Sequence, residues 1–113
     1  MDVFDSAIRT KGDLAGVFEY DDAGDPQNAT AYFYLYRAQG DEPGAIVDTI
    51  HIQSGAWAIS RSDIAVRWDK DERRVGLFVF GALSAAFDTE AGTKHGGGYG
   101  KDFHAGIFWS DSN

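Results

Sequence analysis

The stretch TAYFYLYR at residues 30–37 decides the fold class, because it alternates two kinds of side chain along its length. Successive side chains of a β-strand point to opposite faces, so its three tyrosines share one face while Phe33 and Leu35 share the other. Aromatic and β-branched residues are also the types that strands favour. These residues therefore predict a strand with one aromatic, hydroxyl-bearing face and one face that is apolar up to Arg37 at the end of the strand.

Further segments with short apolar or alternating patterns follow and precede this strand, and turn-forming clusters of Gly, Asp, Asn and Pro separate them. The predicted strands are residues 14–20, 45–52, 63–69, 74–81 and 82–88. The nearly continuous apolar run at 74–81 predicts a central strand covered on both faces. Gly81 marks either a bend within one strand or a tight hairpin.

Two of these strands carry specific predictions of orientation. In the strand at 45–52, Ile46, Ile50 and Ile52 are in phase, and Asp48 falls on their face. In the strand at 63–69, alternation predicts that Ile64, Val66 and Trp68 face the core and that Arg67 and Asp69 face solvent.

The pattern predicts a mostly β fold with six to eight antiparallel strands in sequential hairpins, as a curved sheet, a small sandwich or a partly open barrel. Residues 4–16 and 54–61 are the alternatives for helix, but neither holds two turns of helical periodicity. The glycine-rich segment after residue 88 predicts a wide turn at Gly96 to Gly98, and Tyr99 then begins a strand. One or two short strands are expected within residues 99–109.

Composition and length indicate one domain spanning residues 1–113. There is no cysteine, which excludes disulfides, thiolate metal sites and cysteine nucleophiles. The first residues, MDVFDSAIRTKGD, have neither a basic segment nor an apolar core, so we expect no secretory signal and a cytoplasmic location.

The net charge of −8 is concentrated in the first half of the chain. Residues 1–48 contain ten acidic and three basic side chains, a net of −7. An acidic surface repels phosphate groups, so we expect neither nucleic acid nor an anionic membrane as a partner. A basic protein would suit such a surface, and exposed edge strands also allow a homodimer.

The tyrosine row is the strongest candidate for a binding surface. Tyrosines two residues apart on a strand lie about 7 Å from one another and offer rigid contact area with a polar tip. Acidic turns flank the row on both sides. The predicted partner patch consists of Tyr32, Tyr34, Tyr36, Asp21, Asp22 and Glu42. The alternative is that the tyrosines cover one side of the core.

A second candidate site is a small-ligand pocket at the mouth of a curved sheet, with His51, Trp57 and Tyr99 at its rim. A third hypothesis is metal-assisted hydrolysis using His51, His95 or His104, although no metal-binding spacing is present. The phosphate-loop, dinucleotide and serine-triad motifs are absent. We therefore predict no catalytic residue, no metal ligand and no cofactor.

The order of several short motifs resembles a family of small bacterial domains of unknown function. The corresponding pieces are FE at 18–19, DDAG at 21–24, TAYFY at 30–34, Ile46 with Asp48 and IHI at 50–52, WD at 68–69, AAFD at 85–88, GY at 98–99, Lys101 and Phe103. The chain departs from that family at Gly100, where cysteine is frequent, and in lacking a proline after Phe103. The resemblance implies a small bacterial protein, and it implies no activity.

Together these observations lead us to expect a small acidic bacterial protein that acts as a non-enzymatic protein-binding module. A concrete form is an immunity or inhibitor protein that covers the basic surface of a toxin or nuclease. The alternatives are the small-ligand binding domain and the metal-assisted hydrolase.

Overall fold

The structure, a computed structural model, describes residues 3–21, 24–37 and 44–96 of the chain. Within these residues, eight strands form two antiparallel sheets of four. The strands are β1 (Val3–Ile8), β2 (Leu14–Asp21), β3 (Thr30–Arg37), β4 (Ala45–Ser54), β5 (Ile64–Trp68), β6 (Arg74–Val79), β7 (Ala82–Asp88) and β8 (Thr93–Gly96). The mostly β, antiparallel prediction is confirmed.

Each sheet is a meander in which strands that follow one another in the chain are hydrogen-bonded neighbours. Sheet 1 has the order β1-β2-β3-β4 and sheet 2 has the order β5-β6-β7-β8. Short turns suffice for such connections, and they match the turn clusters seen in the sequence. Single 3-10 turns at Pro26–Asn28 and Arg61–Asp63 precede β3 and β5.

The hydrophobic core lies between the two sheets, so the molecule is a small sandwich. Phe18 and Phe33 project from sheet 1, and Val75, Leu77 and Phe87 project from sheet 2, all of them fully or almost fully buried. The rings of Phe33 and Phe87 meet with their centroids 5.1 Å apart. Packed aromatic and aliphatic side chains from both inner faces are what hold a sandwich together.

Strands β1 and β5 join the two sheets along one side. Asp5 Oδ2 accepts a 2.9 Å hydrogen bond from the backbone N–H of Val66. The indole N–H of Trp68 donates a 2.8 Å hydrogen bond to the carbonyl of Ala7. These contacts explain why residues 3–8 form a strand, and the helical alternative for residues 4–16 is wrong.

The bend or hairpin at Gly81 is a hairpin with a two-residue turn. Val79 pairs with Ala82, and the turn residues Phe80 and Gly81 have φ of 50° and 80°. Two successive residues with positive φ are typical of the tight turn whose twist suits a hairpin. The predicted central strand is interior to sheet 2 as β6, and on its outer face Phe78 is half-buried beneath the Arg67 guanidinium, 4.3 Å from the ring centroid.

Asp69 is buried, so its predicted outward orientation is wrong. Only 2% of the residue is exposed, because its carboxylate organises the turn between β5 and β6. Oδ1 accepts the backbone N–H groups of Arg73 and Arg74, and Oδ2 pairs with the Arg74 guanidinium at 3.1 Å. The alternation that held in β5 stops where that strand ends.

Ile46 is also misassigned by simple alternation. Leu35 pairs with Asp48 and Tyr36 pairs with Ile46, so Val47 is an extra residue in β4. This bulge reverses the phase of the strand. Ile50 and Ile52 are buried as predicted, whereas Ile46 lies outward and is 57% exposed.

The glycine-rich segment begins differently from the prediction. The turn after β7 is made by residues 89–92, and Thr93–Gly96 already form β8, paired with β7. Gly96 therefore belongs to a strand and not to the predicted turn. The rest of that turn, Tyr99 and the strands expected within 99–109 lie outside the described residues.

Candidate functional site

The three tyrosines of β3 point away from the core. Their alternate neighbours Phe33 and Leu35 are buried against sheet 2, which leaves Tyr32 exposed and Tyr34 and Tyr36 half-buried on the outer surface. We call this outward surface of β1 to β4 the tyrosine face. The tyrosines therefore do not cover one side of the core, which was the alternative.

The register of sheet 1 sets the neighbours of each tyrosine. Directly paired residues of antiparallel strands project on the same face. Tyr36 is therefore flanked by Ile46 of β4 and, beyond Ala15, by Ile8 of β1. Tyr32 is flanked in the same way by His51 and Glu19.

Large apolar side chains on this face are unusually exposed. Phe4 is 52% and Ile8 is 56% exposed. Phe4, Val17, Tyr34 and Tyr36 line a shallow groove of about 290 Å³. Contiguous apolar surface of this kind, rimmed by polar groups, is typical of a contact surface.

Polar contacts orient the tyrosine rings. The Tyr34 hydroxyl donates a 2.8 Å hydrogen bond to Glu19 Oε1, and burial, with this hydrogen bond and the Glu19 charge, raises the pKa of Tyr34 to about 12. The Tyr32 ring meets the His51 ring edge-on at 5.3 Å between centroids. The Tyr36 ring packs so closely on Gly44 that a side chain there would overlap it.

The charge on the tyrosine face is negative. Glu19 and Asp21 are exposed on β2, and among the described residues that project from this face there is no lysine or arginine. Asp21 lies at the end of the strand beside Thr30. Asp22 and Glu42, the other predicted acidic members, lie outside the described residues.

The predicted pocket of His51, Trp57 and Tyr99 does not form as a unit. His51 is exposed on the tyrosine face, where Nε2 lies 2.8 Å from the Ser54 hydroxyl. Trp57 packs instead at the edge of the core, and its backbone N–H donates to the Tyr20 hydroxyl at 3.0 Å. The two side chains lie on opposite sides of sheet 1, and Tyr99 is outside the described residues.

A cleft that sequence patterns did not indicate opens between the two sheets. It has a volume of about 250 Å³ and is bounded by β2 to β4 on one side and by β7, β8 and their connecting turn on the other. Leu14, Leu35 and Phe87 form its apolar wall, and Arg37 and Asp48 lie at its polar edge. These residues are far apart in the chain, so no local motif marks them.

Salt bridges hold the polar edge of the cleft. Lys94 Nζ lies 2.9 Å from Asp48 Oδ1 and donates to the Thr49 carbonyl at 3.0 Å, so it joins β8 to β4. Its hydrogen bond lowers the pKa of Asp48. The Arg73 guanidinium lies 2.9 Å from Asp88 Oδ1, and mainly this hydrogen bond lowers the pKa of Asp88 to about 2.

The described residues contain no group of three histidine or acidic side chains placed to hold a metal ion. His95 contacts the Thr93 hydroxyl at 3.3 Å, and His104 lies outside the described residues. The part of the chain that the structure describes thus offers no set of metal ligands for the hydrolase hypothesis. No helix in that part is long and apolar enough to cross a membrane.

No protein-family model matches this chain, and no curated protein or solved structure matches it either. A functional conclusion for the protein therefore has to be built from the fold and from the two surfaces described above.

Proposed function

We propose that the protein is a non-enzymatic binding module whose tyrosine face docks on a basic surface of another protein. One observation carries the proposal. The three tyrosines of β3 project outward, two of them line an apolar groove, and the middle one donates a 2.8 Å hydrogen bond to the Glu19 carboxylate.

The chemistry of this face suits a protein partner. Tyrosine combines a large apolar ring with a hydroxyl and is enriched among residues that dominate binding energy. The rings of Tyr34 and Tyr36 are held by Glu19 and Gly44 before binding. Such pre-organisation lowers the conformational entropy lost on association.

The partner is expected to be basic because this face carries exposed acids. Glu19 and Asp21 lie beside the tyrosines, and the whole chain has a net charge of −8. Opposite charge on a partner accelerates association and selects against wrong partners. A second copy of the chain would bring the same acids to the interface, and a nucleic acid would bring phosphates.

A specific form of this proposal is an immunity or inhibitor protein of a bacterial cytoplasm that covers the cationic surface of a toxin or nuclease. The lack of cysteine fits a reducing compartment. The resemblance of the motif order to small bacterial domains supports the proposal of a bacterial source. A homodimer through the same face is the alternative assembly.

The test is to alter the face without disturbing the core. Tyr32→Ala combined with Glu19→Gln removes an exposed ring and one acid. Phe80→Asn is the matched control, because Phe80 is an exposed aromatic in the hairpin of sheet 2. Urea unfolding verifies that both variants are folded.

The wild-type protein is first used to capture a partner from the source cells, and the purified pair is then titrated calorimetrically at low and high salt. We expect the face variant to bind at least tenfold more weakly, with a smaller salt dependence, while the control binds like wild type. Equal affinity of the face variant, or a partner surface without excess positive charge, would contradict the proposal. Light scattering of the protein alone identifies the homodimer.

A further inference from the structure

The cleft between the sheets is a second surface with the properties of a binding site, and it is separate from the tyrosine face. Its apolar wall brings together Leu14 and Leu35 from sheet 1 and Phe87 from sheet 2. The cleft has a volume of about 250 Å³, close to the lower end of the roughly 300–1,000 Å³ that is usual for small-molecule sites.

The acids at this cleft are already neutralised by the protein. Asp48 is paired with Lys94 at 2.9 Å. Asp88 is paired with Arg73 and Arg74 at 2.9 and 3.3 Å, and it also accepts hydrogen bonds from two backbone N–H groups of the following turn. Neither carboxylate is therefore left to attract a cation.

Arg37 is different from every other charged group that lines the cleft. It is exposed at the end of β3, and its guanidinium makes no hydrogen bond or ion pair with any other residue that the structure describes. Among the described residues that line the cleft, the Arg37 guanidinium is thus the one charged group that no other described side chain neutralises. A guanidinium presents N–H groups in a planar fork that matches a carboxylate.

From this arrangement we infer that the cleft binds a small organic carboxylate with an apolar body, such as an aromatic or branched aliphatic acid. The apolar body lies against Leu14, Leu35 and Phe87, and the carboxylate accepts hydrogen bonds from Arg37. Mostly apolar walls with one or two polar groups that fix orientation are the usual composition of small-molecule sites. The salt bridge between Lys94 and Asp48 holds one side of the cleft in place.

The test uses the full chain with phenylacetate and isovalerate as probes and their uncharged amides as matched controls. A ligand that binds only the folded state raises the melting temperature. Amide resonances in a nitrogen-15 spectrum locate the site. We expect the acids to raise the melting temperature more than the amides and to shift resonances of Arg37, Thr89 and Thr93.

Three variants separate a specific site from nonspecific binding. Arg37→Gln should weaken binding of the acid at least tenfold and abolish the preference over the amide, while Arg37→Lys should retain part of it. Arg67→Gln makes the same charge change on the outer face of sheet 2 and should bind like wild type. Equal binding of acid and amide, an unaffected Arg37→Gln variant, or resonance shifts confined to other surfaces would each overturn the inference. A failure here leaves the tyrosine face untouched, because the probes do not involve it.

Discussion

The Tyr34 hydroxyl donates a 2.8 Å hydrogen bond to Glu19 Oε1 across the β2–β3 pair, on the outer surface of sheet 1. Tyr34 pairs directly with Val17, and Glu19 pairs with Tyr32, so the bond runs diagonally between the two strands. It links the aromatic and the acidic components of the tyrosine face into one unit. A titration can therefore report on the face without any partner.

We predict that the Tyr34 hydroxyl ionises at a pH well above the usual range for tyrosine. Burial and the Glu19 contact raise its pKa from 10.0 to about 12. The difference in phenolate absorbance between wild type and Tyr34→Phe should therefore titrate near pH 12. When both proteins also carry Glu19→Gln, this difference should titrate at a lower pH. A difference titration centred near 10 in both backgrounds would refute the contact.

The same shift has a consequence for stability at high pH. Because the folded state holds the Tyr34 proton more tightly than the unfolded state, its contribution is present below about pH 10 and is lost as the pH rises toward 12. Urea midpoints measured between these two values should fall less steeply in Tyr34→Phe than in wild type. Parallel curves would contradict this expectation.

Gly16→Ala should destabilise the fold by about 1–3 kcal/mol, the usual cost of overpacking a core. A methyl group at Gly16 would overlap the side chain of Val75 in the facing sheet and would lie 3.1 Å from Val66 Cγ1. Urea unfolding measures the loss. In the Val75→Ala background the penalty of Gly16→Ala should be smaller, and strict additivity of the two changes would show that this close approach is not its cause.

Stability should fall as the pH is lowered from about 4 to about 2. Hydrogen bonds from Arg73 and Arg9 lower the pKa values of Asp88 and Asp13 to about 2, from 3.8. A carboxylate whose pKa is lower in the folded state stabilises the protein when the pH is above its unfolded-state pKa. It loses that contribution as the pH falls through its folded-state pKa. Asp88→Asn should be less stable at pH 7 and show a weaker dependence on pH in this range. If the stability of Asp88→Asn fell with decreasing pH as steeply as that of wild type, this would argue against the Arg73–Asp88 pair.

Phe80→Asn should stabilise the β6–β7 hairpin by about 1 kcal/mol. Phe80 has a φ of 50° and its side chain is exposed. The left-handed region costs a residue with a bulky side chain roughly 1–2 kcal/mol, and Asn tolerates it better. A higher melting temperature would support the turn geometry, and a lower one would mean that the exposed ring packs usefully.

Turn chemistry and alternation were enough to predict most of the strands. The six strands predicted from residue 14 to residue 88 correspond to β2 through β7, because each is a short alternating or nearly continuous apolar run between turn-forming residues. Strands β1 and β8 were missed for a physical reason. All four residues of β8 are exposed, and β1 depends on contacts with Val66 and Trp68, about sixty residues away.

Single orientations failed where a local event broke the period. Val47 adds one residue to β4 and turns Ile46 outward. Asp69 follows the last residue of β5, and its carboxylate is drawn inward by backbone N–H groups of the next turn. Neither a bulge nor a buried turn carboxylate has a composition that distinguishes it from ordinary alternation.

The candidate sites divide in the same way. Residues 30–37 alone determined that β3 has a tyrosine face and an apolar face, because strand geometry imposes that alternation. They did not determine which face is covered, since both faces carry large side chains that can be buried in a core. That choice was made by the second sheet, which places Phe87 against Phe33. The cleft beside Arg37 depended on tertiary structure entirely, because its walls come from strands that meet only when the two sheets pack.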